Sequence, residues 1–462
     1  MRSVYSSRKA LVVVATAVLS LAVAVRVVPA SWRGGGDEAS NASEEAEAAR
    51  PSPPILLKNG WVLTDLGTLG GLEGGEEVAI NGRGQIVGIS DANDHAFLWE
   101  KGKMRDLGTL GGPGSWAVEI NDKSQVVGVA YIKAKDGDGE PIRHAFLWAN
   151  GKMRDLGTLG GTLRGLESEA VAVNDKGQVV GWADTKSEEW HQNMHAFLWA
   201  NGKMRDLGTL GGTQSWAEET NQRGQVVGWA ETKALDKDGH SIRHAFLWQK
   251  GKMSDLGTLG GLSSGALAIN ERGQVVGEAD TNAINKANDY DGYGQPISRA
   301  FLWQDGEIRD LGTFGGPDSG AVAINRRGQI VGWADTRNTS AGDRHIGASC
   351  GDGKYSHPAP HAFLWANGRI RNLSTLGGLE SEAVAISDTG QVVGWADTRA
   401  RDSDGCSVGH ASIWENGKIT DLGTLPGGSS SEALAINNRG QVIGWSKTKD
   451  GYLHAVLWTL KP

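Results

Sequence analysis

The chain is sparing with the residues that staple or stiffen a polypeptide: 2 cysteines and 12 prolines in 462 residues. Two cysteines exclude a disulfide-built miniprotein. The prolines, even added to the 68 glycines, stay short of the roughly 25–30% of low-complexity chains, and a collagen is excluded with them. No P-loop, H-E-x-x-H or C-x-x-C is present, so none of these common catalytic motifs points to an activity. Basic charge is in deficit too, with 46 lysines and arginines against 54 acidic residues. What is abundant is glycine, at about twice its average share, and tryptophan, of which there are 18. Side chains that large and apolar need somewhere to be buried, which argues for a folded chain.

Arg2, Arg8 and Lys9 precede an uncharged run at residues 10–25, followed by Val28-Pro29-Ala30. Sixteen residues are short of the roughly 20 that a membrane span needs. A basic start, an apolar middle and small residues at a cleavage point read as a secretory signal peptide over residues 1–30. The alternative is a retained anchor flanked by Arg26. Cleavage leaves 42 basic against 54 acidic side chains, a balance that argues against nucleic acid or anionic lipid as a partner. Residues 31–60 hold Gly34-Gly35-Gly36, a glutamate-rich stretch and Pro51-Ser52-Pro53-Pro54, and read as a disordered tether.

The remainder, residues 61–462, is repetitive. D-L-G-T-L-G-G opens at Asp65, Asp106, Asp155, Asp206 and Asp255, and recurs with changes at Asp310, Asn372 and Asp421. I-N-x-x-G-Q-V-V-G recurs with Asn81, Asn121, Asn174, Asn221, Asn270, Asn325 and Asn437, and with Ser387 once. H-A-F-L-W begins at His95, His144, His195, His244, His361, His410 and His454, with Arg299 in the eighth place. The units are spaced 41, 49, 51, 49, 55, 62 and 49 residues apart. Each offers four short runs rich in valine and aromatic residues and punctuated by glycine, the pattern of strands joined by hairpins. Several runs are apolar on both faces, as a sheet packed between two others must be.

Four antiparallel strands repeated eight times predict an all-β, eight-bladed β-propeller. The last unit lacks its outer strand, whereas residues 61–66 form a spare one. Residues 61–66 are therefore expected to pair with residues 454–458 and close the ring, rather than leave an open solenoid that needs caps. The H-A-F-L-W, D-L-G-T-L-G-G and I-N-x-x-G-Q-V-V-G cycle resembles the HAF-repeat family of extracellular bacterial proteins over about residues 61–458. That resemblance implies secretion and a repeat architecture, and it brings no catalytic residue with it.

Almost all length variation falls between V-V-G and H-A-F, where the step runs from 7 to 29 residues. Variable loops on a constant scaffold are where binding is expected, so this face is the candidate binding face for an extracellular protein or glycan. Trp182, Trp229, Trp333, Trp395 and Trp445 follow V-V-G, in a slot where Ile89, Val129 and Glu278 also occur. A slot that tolerates charge suggests platforms for sugar rings at that face, against the plainer reading of tryptophans packed beneath the loops. Asp136 and Asp138, Asp236 and Asp238, and Asp402 and Asp404 stand before glycines in the long loops. Such pairs offer oxygen to calcium, but the full calcium loop is absent and D-x-D-G is also a turn. No other cofactor is implied. The repeated histidines, spread round a ring, read as structural hydrogen bonds to the D-L-G aspartate rather than as a metal site. Cys350 and Cys406 lie in corresponding loops of consecutive units, and an oxidising compartment makes a disulfide between them an expectation. The alternative to a binding protein, which is expected to be monomeric, is a hydrolase or lyase with its site over the channel near residues 333–360. His345, His357, Asp343 and Asp352 supply that loop with chemistry.

Overall fold

The computed structural model describes residues 53–68, 78–90, 94–137, 139–160, 166–185, 193–285, 295–341, 356–402 and 405–461. It is an eight-bladed β-propeller in which seven sheets have four antiparallel strands and the eighth has five. Blade 3 shows the pattern: Ser168–Val173 is innermost, then Val179–Asp184, Met194–Ala200 and the outer Lys203–Asp206.

The apolar positions of each sheet meet those of the next. Val171, Val180 and Leu198 of blade 3 form one cluster with Ala217, Val226, Phe246 and Trp248 of blade 4. The core is therefore a series of inter-sheet layers rather than one centre, which explains why both faces of the inner strands are apolar.

The V-V-G glycine has a steric cause. The inner strand carries a bulge, with the register shifting between Ala170 and Ala172 in blade 3. That shift presses the Glu169 carbonyl onto Gly181, where a Cβ would collide with it, and Gly128, Gly228 and Gly394 meet the equivalent carbonyl in their blades.

Each H-A-F-L-W histidine closes its blade. Nδ1 of His144 meets the Asp155 carboxylate at 2.9 Å, and His95, His195, His244, His410 and His454 repeat the contact with Asp106, Asp206, Asp255, Asp421 and Asp65. His361 pairs with Asn372, and Arg299 reaches Thr313 instead. Burial alone would raise Asp155, but the hydrogen bond and charge of His144 and the Gly157 amide hold it below the usual carboxylate range. A serine of the following blade joins the units: Ser168 Oγ accepts from the Ala145 amide at 2.9 Å and donates to the Gly157 carbonyl.

Around the channel the I-N asparagines form a ring that the motif alone did not disclose. Oδ1 of Asn174 caps its own turn by accepting the Lys176 and Gln178 amides. Its Nδ2 donates to Gln178 Oε1 and, across the blade boundary, to the Asn221 carbonyl at 2.9 Å. The relay runs from Asn81 through Asn121, Asn174, Asn221, Asn270 and Asn325 to Ser387, and resumes from Asn437 back to Asn81. In six places the residue after the asparagine, or after Ser387, takes part in a second relay, donating its amide to the side chain of its counterpart in the next blade, as Asp122 does to Asp175 at 3.0 Å.

The ring closes through the N-terminal strand. Trp61–Asp65 pairs with Leu453–Leu460, with Trp61 opposite Leu460 and Asp65 opposite Val456. The domain nevertheless begins earlier than residue 61. Ile55–Leu56 adds a fifth strand to blade 8, and Ile55 and Leu57 pack against the cluster of Trp61, Leu63 and Trp458. The surrounding prolines and polar residues mask these two anchors in the sequence.

Candidate functional site

The two ends of the ring differ. On one end all inner-to-second connections are tight turns of the Asn174-Asp175-Lys176-Gly177 kind. On the other, the expected variable loops are largely β-ribbons. In blade 2, Val126–Lys135 continues past the blade to pair with Pro141–Ala149, with Lys135 opposite Pro141 after a register shift at Tyr131. The same extension occurs in Val226–Leu235, Val275–Asn285, Ile330–Ala341 and Val392–Arg401. In blades 2, 4, 5 and 6 the inner strand also reaches further, as Gly211–Thr220 does.

At the ribbon tips the D-x-D-G aspartates act as turn residues. Asp236 Oδ1 accepts the amides of Asp238 and His240 at 2.8 Å each. Asp136 and Asp402 cap the amides of Glu140 and Cys406 in the same way. One oxygen of each leading aspartate is thus engaged by its own turn. Asp236, Asp238 and His240 bring their ligand atoms within 4.8 Å of one another. Asp138, Asp404 and Cys350 lie outside the described residues, as do His345, Asp343 and Asp352, so the calcium pairs, the disulfide and the alternative catalytic loop are described only in part.

The tryptophans lie within the ring. Trp182, Trp229, Trp333 and Trp395 are buried, none more than 8% exposed, while Trp445 is partly exposed. The first four rings are covered by their neighbours and present no stacking platform to a ligand at the ribbon face. Trp182 stacks on Trp216 of the next blade at 5.3 Å, and Trp216 on Trp229 at 6.5 Å. The Arg243 guanidinium lies over Trp229 at 4.1 Å.

Their cross-strand partners are informative. Glu169, Glu382 and Glu432 stand opposite Trp182, Trp395 and Trp445 on the inner strands. Burial pushes the Glu432 carboxyl up to about 8, the neighbouring Glu382 adds to the push, and a hydrogen bond from Trp445 opposes it.

A second layer of acids lies two residues further along. Asp184, Asp280, Asp335 and Asp397 each accept a backbone amide at the start of their own inner strand, from Glu167, Ser263, Asp318 and Glu380 respectively. Burial raises Asp280 and Asp397 to about 6, with Asp318 and Glu380 contributing like charge. In blades 2 and 4 the residue before the histidine is an arginine. Arg143 binds Glu167 at 3.0 Å; burial opposes its charge, but the Glu167 contact outweighs that and raises it. The corresponding residues of blades 5 to 8 are Ser298, Pro360, Gly409 and Leu453, so the acid layer there receives no arginine from this position.

A family model described as a protein of unknown function (DUF3466) matches residues 111–210. No curated protein matches the chain. Among solved structures, the β-propeller domain of the Trilobed protease from Pyrococcus furiosus is 9% identical with a TM-score of 0.38, over 82% of this chain and 96% of that one. A Mycobacterium tuberculosis puromycin-hydrolyzing peptidase is 11% identical, TM-score 0.39, over 72% of this chain and 50% of its own. Trypanosoma rangeli sialidase is 10% identical, TM-score 0.30, over 78% and 56%.

Proposed function

We propose that the chain is an exported binding protein of the HAF-repeat kind, and that its ribbon face holds an extracellular partner protein. The arrangement of the five ribbons carries this reading. They all leave the same end of the ring, while the turns at the other end are tied together by inter-blade relays. The ribbon face also keeps large apolar side chains in solvent. Leu235 and Ile284 occupy the same position on adjacent ribbons at 60% and 48% exposure, and Leu262 of the intervening inner strand is 51% exposed. Neighbouring exposed apolar groups favour a protein partner over a glycan. In an oxidising compartment, a Cys350–Cys406 disulfide would join the ribbons of blades 6 and 7 and present them as one surface.

Residues 31–462 should be tested on matched arrays of purified extracellular proteins and of glycans. Saturable binding to a protein, lost in the Leu235→Asp, Ile284→Asp double variant with the melting temperature unchanged, supports the proposal. Binding to glycans alone replaces the partner class. Hydrolytic turnover abolished by His345→Ala would put the enzyme reading in its place.

A further inference from the structure

The tight-turn end of the ring carries an excess of the charge that the chain as a whole is short of. The residue two after the I-N asparagine is an arginine or a lysine in seven of the eight blades, from Arg83 in blade 1 to Arg439 in blade 8, and Thr389 of blade 7 is the exception. All seven side chains are exposed, and among the described residues none of them pairs with a carboxylate. The acids of the same turns are already engaged. Asp122, Asp175, Glu271 and Asp388 each accept a backbone amide from the preceding blade, and Arg326 Nε lies 3.6 Å from Asp388. Asp122, Glu271 and Asp388 line the channel mouth and so form a hub inside the crown of cations. The turns from third to outer strand open on the same end, where Gln225 Nε2 donates to Gln249 Oε1 at 2.9 Å and Gln274 Nε2 to Gln304 Oε1 at 2.7 Å. They add an outer row of exposed cations, Lys103, Lys152, Lys203, Lys252, Arg369 and Lys418, with Glu307 in the remaining place. The fifteen turns of this end hold 16 lysines and arginines against 8 acids, whereas the whole chain has 46 against 54.

We propose that this end docks on the surface of an anionic lipid bilayer. Every inner-to-second turn has the same length, three residues from the asparagine (or Ser387) to the turn glycine (or Ser124). The cations therefore stand at one level and present a plane rather than a groove. The inter-blade relays hold the turns in that arrangement, so docking orders little that is not already ordered. The turns contribute no aromatic side chain on which a base or a sugar ring could stack. A straight polyanion such as duplex nucleic acid would touch only part of a circle and would cross the acidic hub. Fluid lipid headgroups can gather beneath the cations and leave the hub clear. Each lysine or arginine at such a surface is worth about fivefold in affinity. Screening confines the attraction to roughly 8–10 Å in physiological salt, so the acidic balance of the rest of the chain does not cancel it. The ribbons leave the opposite end, and the proposal stands whether or not they hold a partner.

The test is co-sedimentation of the mature chain, residues 31–462, with vesicles of equal parts phosphatidylglycerol and phosphatidylcholine, and with vesicles of phosphatidylcholine alone. The chain should bind the anionic vesicles, ignore the neutral ones and be released as salt is raised. Arg223→Gln and Arg272→Gln together should weaken binding about 25-fold with the melting temperature unchanged, and Thr389→Lys, which completes the crown, should tighten it about fivefold. Lys133→Gln with Lys233→Gln, the same loss of charge on two ribbons, should leave it unaltered. Equal binding to both vesicles, no binding to the anionic ones, or unchanged binding in the folded Arg223→Gln, Arg272→Gln protein would each overturn the proposal. Duplex DNA that strips the chain from the anionic vesicles at equal charge would overturn it in favour of a nucleic-acid partner.

Discussion

Gly320 and Glu278 sit on adjacent blades, and each departs from what its neighbours carry at the same position. Blade 8 pairs Glu432 with Trp445 within one sheet, and blade 7 sets Glu382 opposite Trp395. Blade 6 has Gly320 opposite Trp333, and blade 5 has Glu278 where a tryptophan is usual. The Glu278 carboxylate reaches across the boundary into the space a Gly320 side chain would occupy, close to Trp333 Nε1. The acid has thus moved to the neighbouring blade while its place beside the indole is kept. Gly320→Ala should overpack this site and cost about 1–3 kcal/mol. In the Gly320→Ala, Glu278→Ala pair the losses should sum to less than the two single effects, a coupling that denaturant titration can read. Additive losses would mean that the two residues do not share the space.

Glu432 makes a prediction of opposite sign to ordinary acid denaturation. Its carboxyl titrates near 4.5 when unfolded and near 8 in the ring, so between these values the folded protein binds the extra proton. Its contribution to stability is therefore complete below 4.5 and is lost as the pH rises towards 8. Asp280 and Asp397 act likewise over the lower window that ends near 6. Asp155, Asp206 and Asp421 oppose them only in acid, because their histidine locks hold them below the ordinary value of 3.8. The melting temperature should rise on acidification from pH 8 to 5, and Glu432→Gln should flatten that rise. An identical pH profile in the Gln variant would refute the assignment.

At the scale of the element, the parts that repetition encodes were readable and the parts that depend on geometry between repeats were not. A histidine repeated at one strand position round the ring, where no metal site can converge, suggests a structural hydrogen bond to the D-L-G aspartate. The asparagine relay was hidden because I-N-x-x-G-Q reads as ordinary turn chemistry, with the side chain capping its own loop. Its sequence signal is the glutamine four residues on, which shares the amide but does not reveal that the second hydrogen goes to the next blade. The ribbons read as loops in the sequence because D-x-D-G marks a reversal without showing how far the flanking strands run before it. The tryptophan slot misled for a related reason. Glu278 in that slot suggested solvent, whereas the charge is accommodated inside by the neighbour's missing side chain.

The whole molecule is held as a circle, and its closing contact joins residues nearly the whole domain apart. Trp61, Leu63 and Leu66 are buried at 4%, 0% and 3% exposure, at the strand that pairs with Leu453–Leu460. His454 makes its lock with Asp65 rather than with an aspartate of its own repeat. The relay bond from Asn437 to Asn81 crosses the same seam, so closure is secured at the centre and at the rim. Removing residues 53–66 strips the rim and leaves the central relay in place. At about 1.5–3 kcal/mol for each buried side chain, the three apolar residues alone are worth on the order of 5 kcal/mol. The truncated chain should melt markedly lower and, with the edge of Leu453–Leu460 uncovered, should self-associate. Supplying residues 53–66 as a separate peptide should restore both properties. If the truncated ring melts with the intact one, closure rests on the asparagine relay, and the Asn437→Ala variant rather than the strand deletion should open it.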